Sequence, residues 1–350
     1  MTTYKAYEIT SPGQFTQVVR PLVGPGPGQI RLRVEACGVC HTDSATVDGQ
    51  FPGLTFPRVP GHEVIGRIDA IGPDVRRWQV GQRVGVGFFG GEDGACESCQ
   101  RGDFINCINP IINGVTIDGG YAEVMIAEAR ATVAIPDELS SVDAAPLLCA
   151  GVTTFNALRN AGIRAGGLVA IQGIGGLGHL GIQFARRMGF HTVAIGLGAD
   201  GGPLAKRLGA HLYIDSEVEN PGSRLQQMGG AQAVLATAPS GKAMSDIVKG
   251  LAVRGKLLVI GLAADPLAID TLSLVSGMRS ISGSLTGSAI DEKDALEFSV
   301  LESIRPMVET MPLSKAPEAY ARMLSGKARF RIVLVTNNGS DSAVSPSLAE

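Results

Sequence analysis

The hydrophobic pattern of the chain changes period once. Up to about residue 135, apolar positions come in short alternating segments broken by Gly and Pro. Residues 29–36 and 64–71 alternate polar and apolar, the period of half-buried strands. A turn cluster, Gly24-Pro25-Gly26-Pro27-Gly28, precedes the first. This half is predicted to be mostly β, a small barrel or folded sheet. From about residue 144 strands and helices alternate: helix 142–160, strand 168–171, helix 179–188, strand 192–195, helix 203–208 and strand 212–214. Strands at 233–236 and 256–260 follow, separated by helix 245–251. Such alternation implies a parallel sheet with right-handed crossovers. Residues 291–308 are predicted helical and 330–335 form a final strand, while the polar, small residues 336–350 are expected to be disordered.

Composition narrows the class. With 350 residues, 45% hydrophobic and 18% charged, the chain is predicted to be soluble and globular with two cores. A net charge of −3 offers no footprint for nucleic acid or an anionic membrane. Residues 1–7 lack the apolar core of a signal peptide, and the apolar run 168–180 is too short and glycine-rich to span a bilayer. The six cysteines are therefore expected to stay reduced in the cytoplasm and to favour metal over disulfides.

Three separated segments carry candidate metal chemistry: Cys40-His41-Thr42-Asp43, Gly61-His62-Glu63, and Cys149 in Ala145-Pro146-Leu147-Leu148-Cys149-Ala150-Gly151. Two thiolates and one imidazole leave a corner of a zinc tetrahedron open, as in catalytic sites. Any single Cys or His is more often a core residue, and Cys37 is read as such a bystander. Downstream, Gly173-Ile174-Gly175-Gly176-Leu177-Gly178 follows an apolar strand and opens a helix, the context of a dinucleotide turn. In that motif the first glycine permits the tight turn, the second admits the pyrophosphate and the third lets helix pack on strand. A Lewis acid beside a hydride carrier suggests an enzyme that interconverts alcohols and carbonyls.

From about Lys5 to Val335 the chain resembles the zinc-dependent medium-chain alcohol dehydrogenase family, on Gly38-Val39-Cys40-His41-Thr42-Asp43, Gly61-His62-Glu63 and Cys149-Ala150-Gly151-Val152-Thr153 in the family's order. The resemblance implies an α/β plus mostly-β fold: a GroES-like catalytic domain (1–150), a Rossmann domain with a doubly wound parallel sheet (151–285), a return segment (286–336) and a tail (337–350). It implies a catalytic zinc on Cys40, His62 and Cys149. Asp43 would orient His62, Glu63 would sit behind the metal and ligate it transiently, and Thr42 would carry the substrate proton away. Where several members end the proton chain at a histidine, this sequence has Asp48; release would run through Asp48, water or His41. Thr153 and Leu177 would flank the nicotinamide. Arg331 would contact the pyrophosphate, its alternative being a cation on a strand edge. A homodimer or homotetramer, joined through the strand near 280–285, is also implied.

Some points stay open on sequence. Cys96, Cys99 and Cys107 keep three ligand positions of the family's structural zinc lobe, with Asp93 in place of the first cysteine; the alternative is a lobe without metal. The acid that would select NAD falls at Gly196, and no Arg follows it to favour NADP, so either cofactor is admitted. Asp200 reaches the ribose or caps a helix. The substrate is a primary or simple secondary alcohol, or its aldehyde or ketone, in a pocket near Phe51, Phe89 and Ile112. The rival readings are a zinc-free quinone or enone reductase of the same fold and a non-catalytic nucleotide-binding scaffold.

Overall fold

The alternation at 29–36 extends into a long strand, Gln29–Val39, whose inward side chains Ile30, Leu32 and Val34 are wholly buried. In the computed structural model, which describes residues 2–339, this strand is the hub of a seven-stranded sheet. It pairs antiparallel with Val64–Ile71, with Val124–Glu128 and with Arg331–Val335. Arg83–Val86 and Thr132–Ala134 continue the sheet on one side, and Val308–Pro312 lies parallel to Arg331–Val335 on the other. The core holds Leu32, Val34, Ile68, Val84 and Ile332 from strands distant in sequence, with Tyr121 from a loop. These elements belong to one compact unit, Met1–Val152 together with the chain from Thr286 onward.

The second unit, Thr153–Leu285, is a six-stranded parallel sheet. In order of appearance its strands are Leu168–Gln172, His191–Gly196, Leu212–Asp215, Ala231–Ala236, Leu251–Val259 and Ser280–Gly283. They are arranged 3-2-1-4-5-6, the doubly wound order whose direction reverses beside the first strand. Leu168–Gln172 is buried at every position, as a central parallel strand covered on both faces requires.

Several expected elements differ in extent. The stretch 142–160 is three pieces: the α-helix Ser141–Pro146, a π turn Leu147–Gly151 and the α-helix Val152–Arg159. Pro146 has no N–H to give the preceding turn, which favours a change of helical pitch there. The helix expected over 291–308 is Ala289–Leu301, opened by a capping box of Ser288 and Asp291. It ends because Ser303 turns to φ 54° and Pro306 follows, so Val308 begins a strand instead. The helices Pro221–Gln227, Thr271–Gly277 and Ala316–Leu324 were not expected. The tail expectation fails at its start: Asn337–Gly339 form a 3₁₀ turn, and Asn338 Nδ2 donates to the Val34 carbonyl at 3.2 Å. Its remainder, 340–350, lies outside the described residues. No helix among them is long and apolar enough to cross a membrane.

Candidate active site and metal centres

Cys40 follows directly on the strand Gln29–Val39, and its backbone N–H donates to Asp43 Oδ2 at 3.0 Å. The same carboxylate accepts the Tyr121 hydroxyl at 2.9 Å and lies 3.0 Å from His62 Nδ1. Asp43 thus fixes the imidazole's tautomer and turns Nε2 away from itself. Gly61 makes this geometry possible: its φ is +100°, and a Cβ there would fall on the Tyr121 ring. Cys149 arrives on the π turn, an arrangement frequent at functional sites.

The structure brings Cys40, His62, Glu63 and Cys149 together, one donor atom of each lying within 4.8 Å of all the others. The two sulfurs are 3.7 Å apart. His62 Nε2 and Glu63 Oε2 are buried with no hydrogen-bond partner. Orphaned polar atoms of this kind call for a ligand, and two soft sulfurs with one imidazole suit zinc. The residues present therefore fit the metal. The hydrogen bond between the two sulfurs holds Cys40 well below the ordinary thiol range and, with burial, pushes Cys149 up. Burial opposes protonation of His62, but Asp43 and then Cys40 outweigh it and raise the imidazole.

Behind these donors lies a buried ion pair. Burial raises Glu63 to about 7 against the lowering effect of Arg331. Arg331 Nη2 hydrogen-bonds Glu63 Oε1, and both side chains are almost wholly buried. Arg331 is thus no edge-strand surface cation: its strand is flanked on both sides. Gly38 faces this pair, and a Cβ there would overlap Glu63 Oε2. Thr42 is half-buried at the start of the helix Asp43–Val47, and its N–H lies 3.5 Å from Cys40 Sγ. Asp48 is exposed at the other end of that helix.

The second cysteine group also assembles. Asp93, Cys96, Cys99 and Cys107 place ligand atoms within 4.8 Å of one another, with Cys96 Sγ 3.4 Å from Cys99 Sγ. Asp93 Oδ1 accepts the N–H groups of Ala95 and Cys96, and Oδ2 accepts from Asn109, bonds that hold its carboxyl well below the usual range. Backbone N–H groups of Cys99 and Ile108 lower the Cys96 thiol, whereas burial, Cys96 and Cys107 push Cys99 up to about 12. A chelated cation fits this set as well.

In the second unit the glycine turn has the expected division of labour. Gly173 takes φ +93°, Gly175 has open space where a Cβ would be, and a Cβ on Gly178 would fall on the Gly173 carbonyl oxygen. The helix Gly178–Arg187 starts there, with Leu177 at its N-cap, so the positive end of its dipole faces the turn. Gly176 and Leu177 are half-buried in the turn, and Thr153 is buried in the helix Val152–Arg159. Gly196 ends the second strand. Asp200 occupies an N-cap position without making the capping bond.

Two of the expected wall residues lie side by side. Phe89 and Ile112 pair in a short ribbon, Phe89–Gly91 with Ile111–Ile112. The aromatic beside His62 is Phe88, edge-on at 5.2 Å and 6.3 Å from Phe51. Tyr121 was also missed; its only signal is an aromatic after the Gly119-Gly120 pair.

A GroES-like sheet presenting a sulfur–nitrogen–sulfur site, in one chain with a doubly wound dinucleotide unit, defines a zinc- and NAD(P)-dependent oxidoreductase acting on small alcohols or their carbonyl partners. Comparisons with known proteins agree. Residues 26–137 match the alcohol dehydrogenase GroES-like domain and residues 176–300 the zinc-binding dehydrogenase domain. The chain is 44% identical over 316 residues to alcohol dehydrogenase notN of Aspergillus sp. (90% of this chain, 92% of that one) and 38% identical over 323 residues to an alcohol dehydrogenase of Geobacillus stearothermophilus (92% and 95%). Among solved structures it is similar to acetophenone reductase from Geotrichum candidum in complex with NAD (TM-score 0.84, 26% identity, 97% of this chain and 98% of that one). The chain belongs to the zinc-dependent medium-chain alcohol dehydrogenase family.

Proposed function

We propose that Cys40, His62 and Cys149 hold the catalytic zinc, with Glu63 behind them as an alternate ligand, and that an alcohol or its aldehyde or ketone reacts there with NAD(P). The convergence of two sulfurs and an unpartnered, Asp43-oriented imidazole carries this reading. When bound, zinc supplies Lewis acidity that lowers the pKa of a coordinated hydroxyl and polarises a carbonyl. The protein residues do the rest. Asp43 keeps His62 in the ligating tautomer. The Thr42 hydroxyl takes the alcohol proton and passes it outward, with Asp48, water or His41 as the exit. Phe88 and Phe51 supply an apolar wall that excludes water from the reacting carbon.

On the cofactor side, Gly173, Gly175, Gly176 and Gly178 cradle the pyrophosphate, Thr153 and Leu177 flank the nicotinamide, Gly196 lies by the adenosine ribose, and Arg331 lends N–H groups to the pyrophosphate. Asp93, Cys96, Cys99 and Cys107 hold a second, structural zinc. The substrate is a primary or simple secondary alcohol. The enzyme works in the cytoplasm as a homodimer or homotetramer, joined along the edge strand Ser280–Gly283, which exposed Val275, Met278 and Leu285 adjoin; neither nucleic acid nor membrane is a partner.

Metal analysis and one variant test the reading. Wild-type protein should carry about two zinc ions per chain, and Cys149→Ser should lose one of them and its alcohol oxidation while still binding NAD(H). Full turnover by a metal-free preparation would refute it.

A further inference from the structure

The strand end that ordinarily carries the NAD-selecting acid is Gly196, and the structure shows what occupies that place. A Cβ on Gly196 would stand 2.9 Å from Tyr213 Oη, 3.1 Å from Tyr213 Cε2 and 3.4 Å from Ile174 Cδ1. Ile174 belongs to the glycine turn, so the position adjoins the cofactor site. Tyr213 reaches it from the neighbouring strand, and its hydroxyl donates to the Gly198 carbonyl at 2.6 Å. The same ring lies under Gly201, whose Cβ would be 2.8 Å from Tyr213 Oη.

Carboxylates gather at this spot from the next strand. Asp215 is the Cα partner of Gly196 across the sheet, and its Oδ1 accepts the N–H of Gly198 at 2.9 Å and of Glu217 at 3.0 Å. Glu217 Oε2 stands 3.6 Å from the place of a Gly198 Cβ, leaning over the same loop. Asp215, Glu217 and Asp200 all act electrostatically on the Tyr213 hydroxyl, which burial first and then these carboxylates push up. Neither 196–202 nor 213–220 contains a Lys or Arg.

We propose that the enzyme selects NAD over NADP through this rim, with Tyr213 filling the usual place of the acid and Asp200, Asp215 and Glu217 supplying the negative field around it. The inference rests on residues 173–178 being the pyrophosphate turn of the proposed function. A free ribose 2′-hydroxyl is compatible with the rim, since it can hydrogen-bond to Tyr213 or a carboxylate. A 2′-phosphate brings like charge against the carboxylates and finds no guanidinium or ammonium in those two segments, a repulsive device for specificity. Glu217 and Asp200 are exposed, so part of this discrimination is sensitive to salt.

The test is a fluorescence titration of the zinc-loaded enzyme with NADH and NADPH, beside kcat/KM for each. NADH should bind at least about tenfold more tightly, and the gap should narrow as ionic strength rises. Glu217→Lys should cut the NADH-to-NADPH ratio by about tenfold, and Asp200→Asn should move it the same way by less. Equal or tighter NADPH binding by the wild type overturns the proposal. So does a ratio that neither variant nor salt moves. Binding of neither nucleotide by zinc-replete protein would overturn the assignment of the glycine turn itself, a distinct failure.

Discussion

Glu292 offers a test of how this fold tolerates a buried carboxyl. It lies in the helix Ala289–Leu301, about 1% exposed, and Oε2 is buried without a hydrogen-bond partner. Its Oε1 occupies the space where a side chain on Gly87 would be, a place also 2.9 Å from the Leu148 carbonyl oxygen. Burial, and then the nearby charge of Asp291, raises Glu292 well above the ordinary carboxyl range, favouring its neutral form in the folded protein. The unfolded chain releases this proton near pH 4.3. Above that pH the native state therefore holds one more proton than the unfolded state. The stability linked to the group is complete below the unfolded pKa and falls as pH rises towards the folded one, by about 1.4 kcal/mol per pH unit. Each pH unit inside this window amounts to roughly 3–6 °C in melting temperature for a unit of this size.

Glu292→Gln removes the titration while keeping the shape. Thermal melts of the two proteins should differ least near pH 4, and the variant should gain steadily on wild type as pH rises above it. Every other ionisable group is common to the two and cancels in the difference. Parallel melting temperatures across that range, or a wild type that gains on the variant as pH rises, would refute a neutral buried Glu292.

Asp43→Asn leaves His62 without its charged partner and should weaken zinc retention at the Cys40 site about 10–100-fold, read by competition with a chromogenic chelator. Gly178→Ala drives a Cβ into the Gly173 carbonyl; NADH binding should fall below detection while zinc content stays at the wild-type value. Gly38→Ala pushes on Glu63 and should destabilise the protein by about 3 kcal/mol, as loss of a buried ion-pair partner does, measured by urea unfolding. Asp93→Asn keeps an acceptor for Ala95 and Cys96 but removes the charge, and metal analysis should show the zinc at the three-cysteine lobe depleted.

The fold was legible where local pattern dominates. The strand 64–71 falls where alternation placed it, because a sheet face in contact with a core leaves period-two hydrophobicity. The glycine turn was legible because each glycine answers a distinct steric demand. Cys40, His62 and Cys149 could be picked out since ligand types recur in marked local settings. What escaped depends on meetings across the chain. The Arg331–Glu63 pair joins residues 268 apart in sequence, and Tyr121 reaches Asp43 across 78. No window of sequence contains either contact. The π turn at 147–151 escaped for a related reason: its period is set by tertiary packing and by Pro146, and amphipathic patterning reads it as ordinary helix.

The strand Arg331–Val335 lies between Val308–Pro312 and the hub strand Gln29–Val39. On a ribosome, the hub would emerge early and wait, one flank unpaired, while the whole of 153–285 is made. The parallel-sheet unit lies on one continuous stretch and is free to fold as soon as it emerges. The sulfur and nitrogen donors of the first unit, by contrast, gain the guanidinium behind them only after residue 331 has been made. A chain stopped before residue 331 would leave that flank of the hub as a bare β edge.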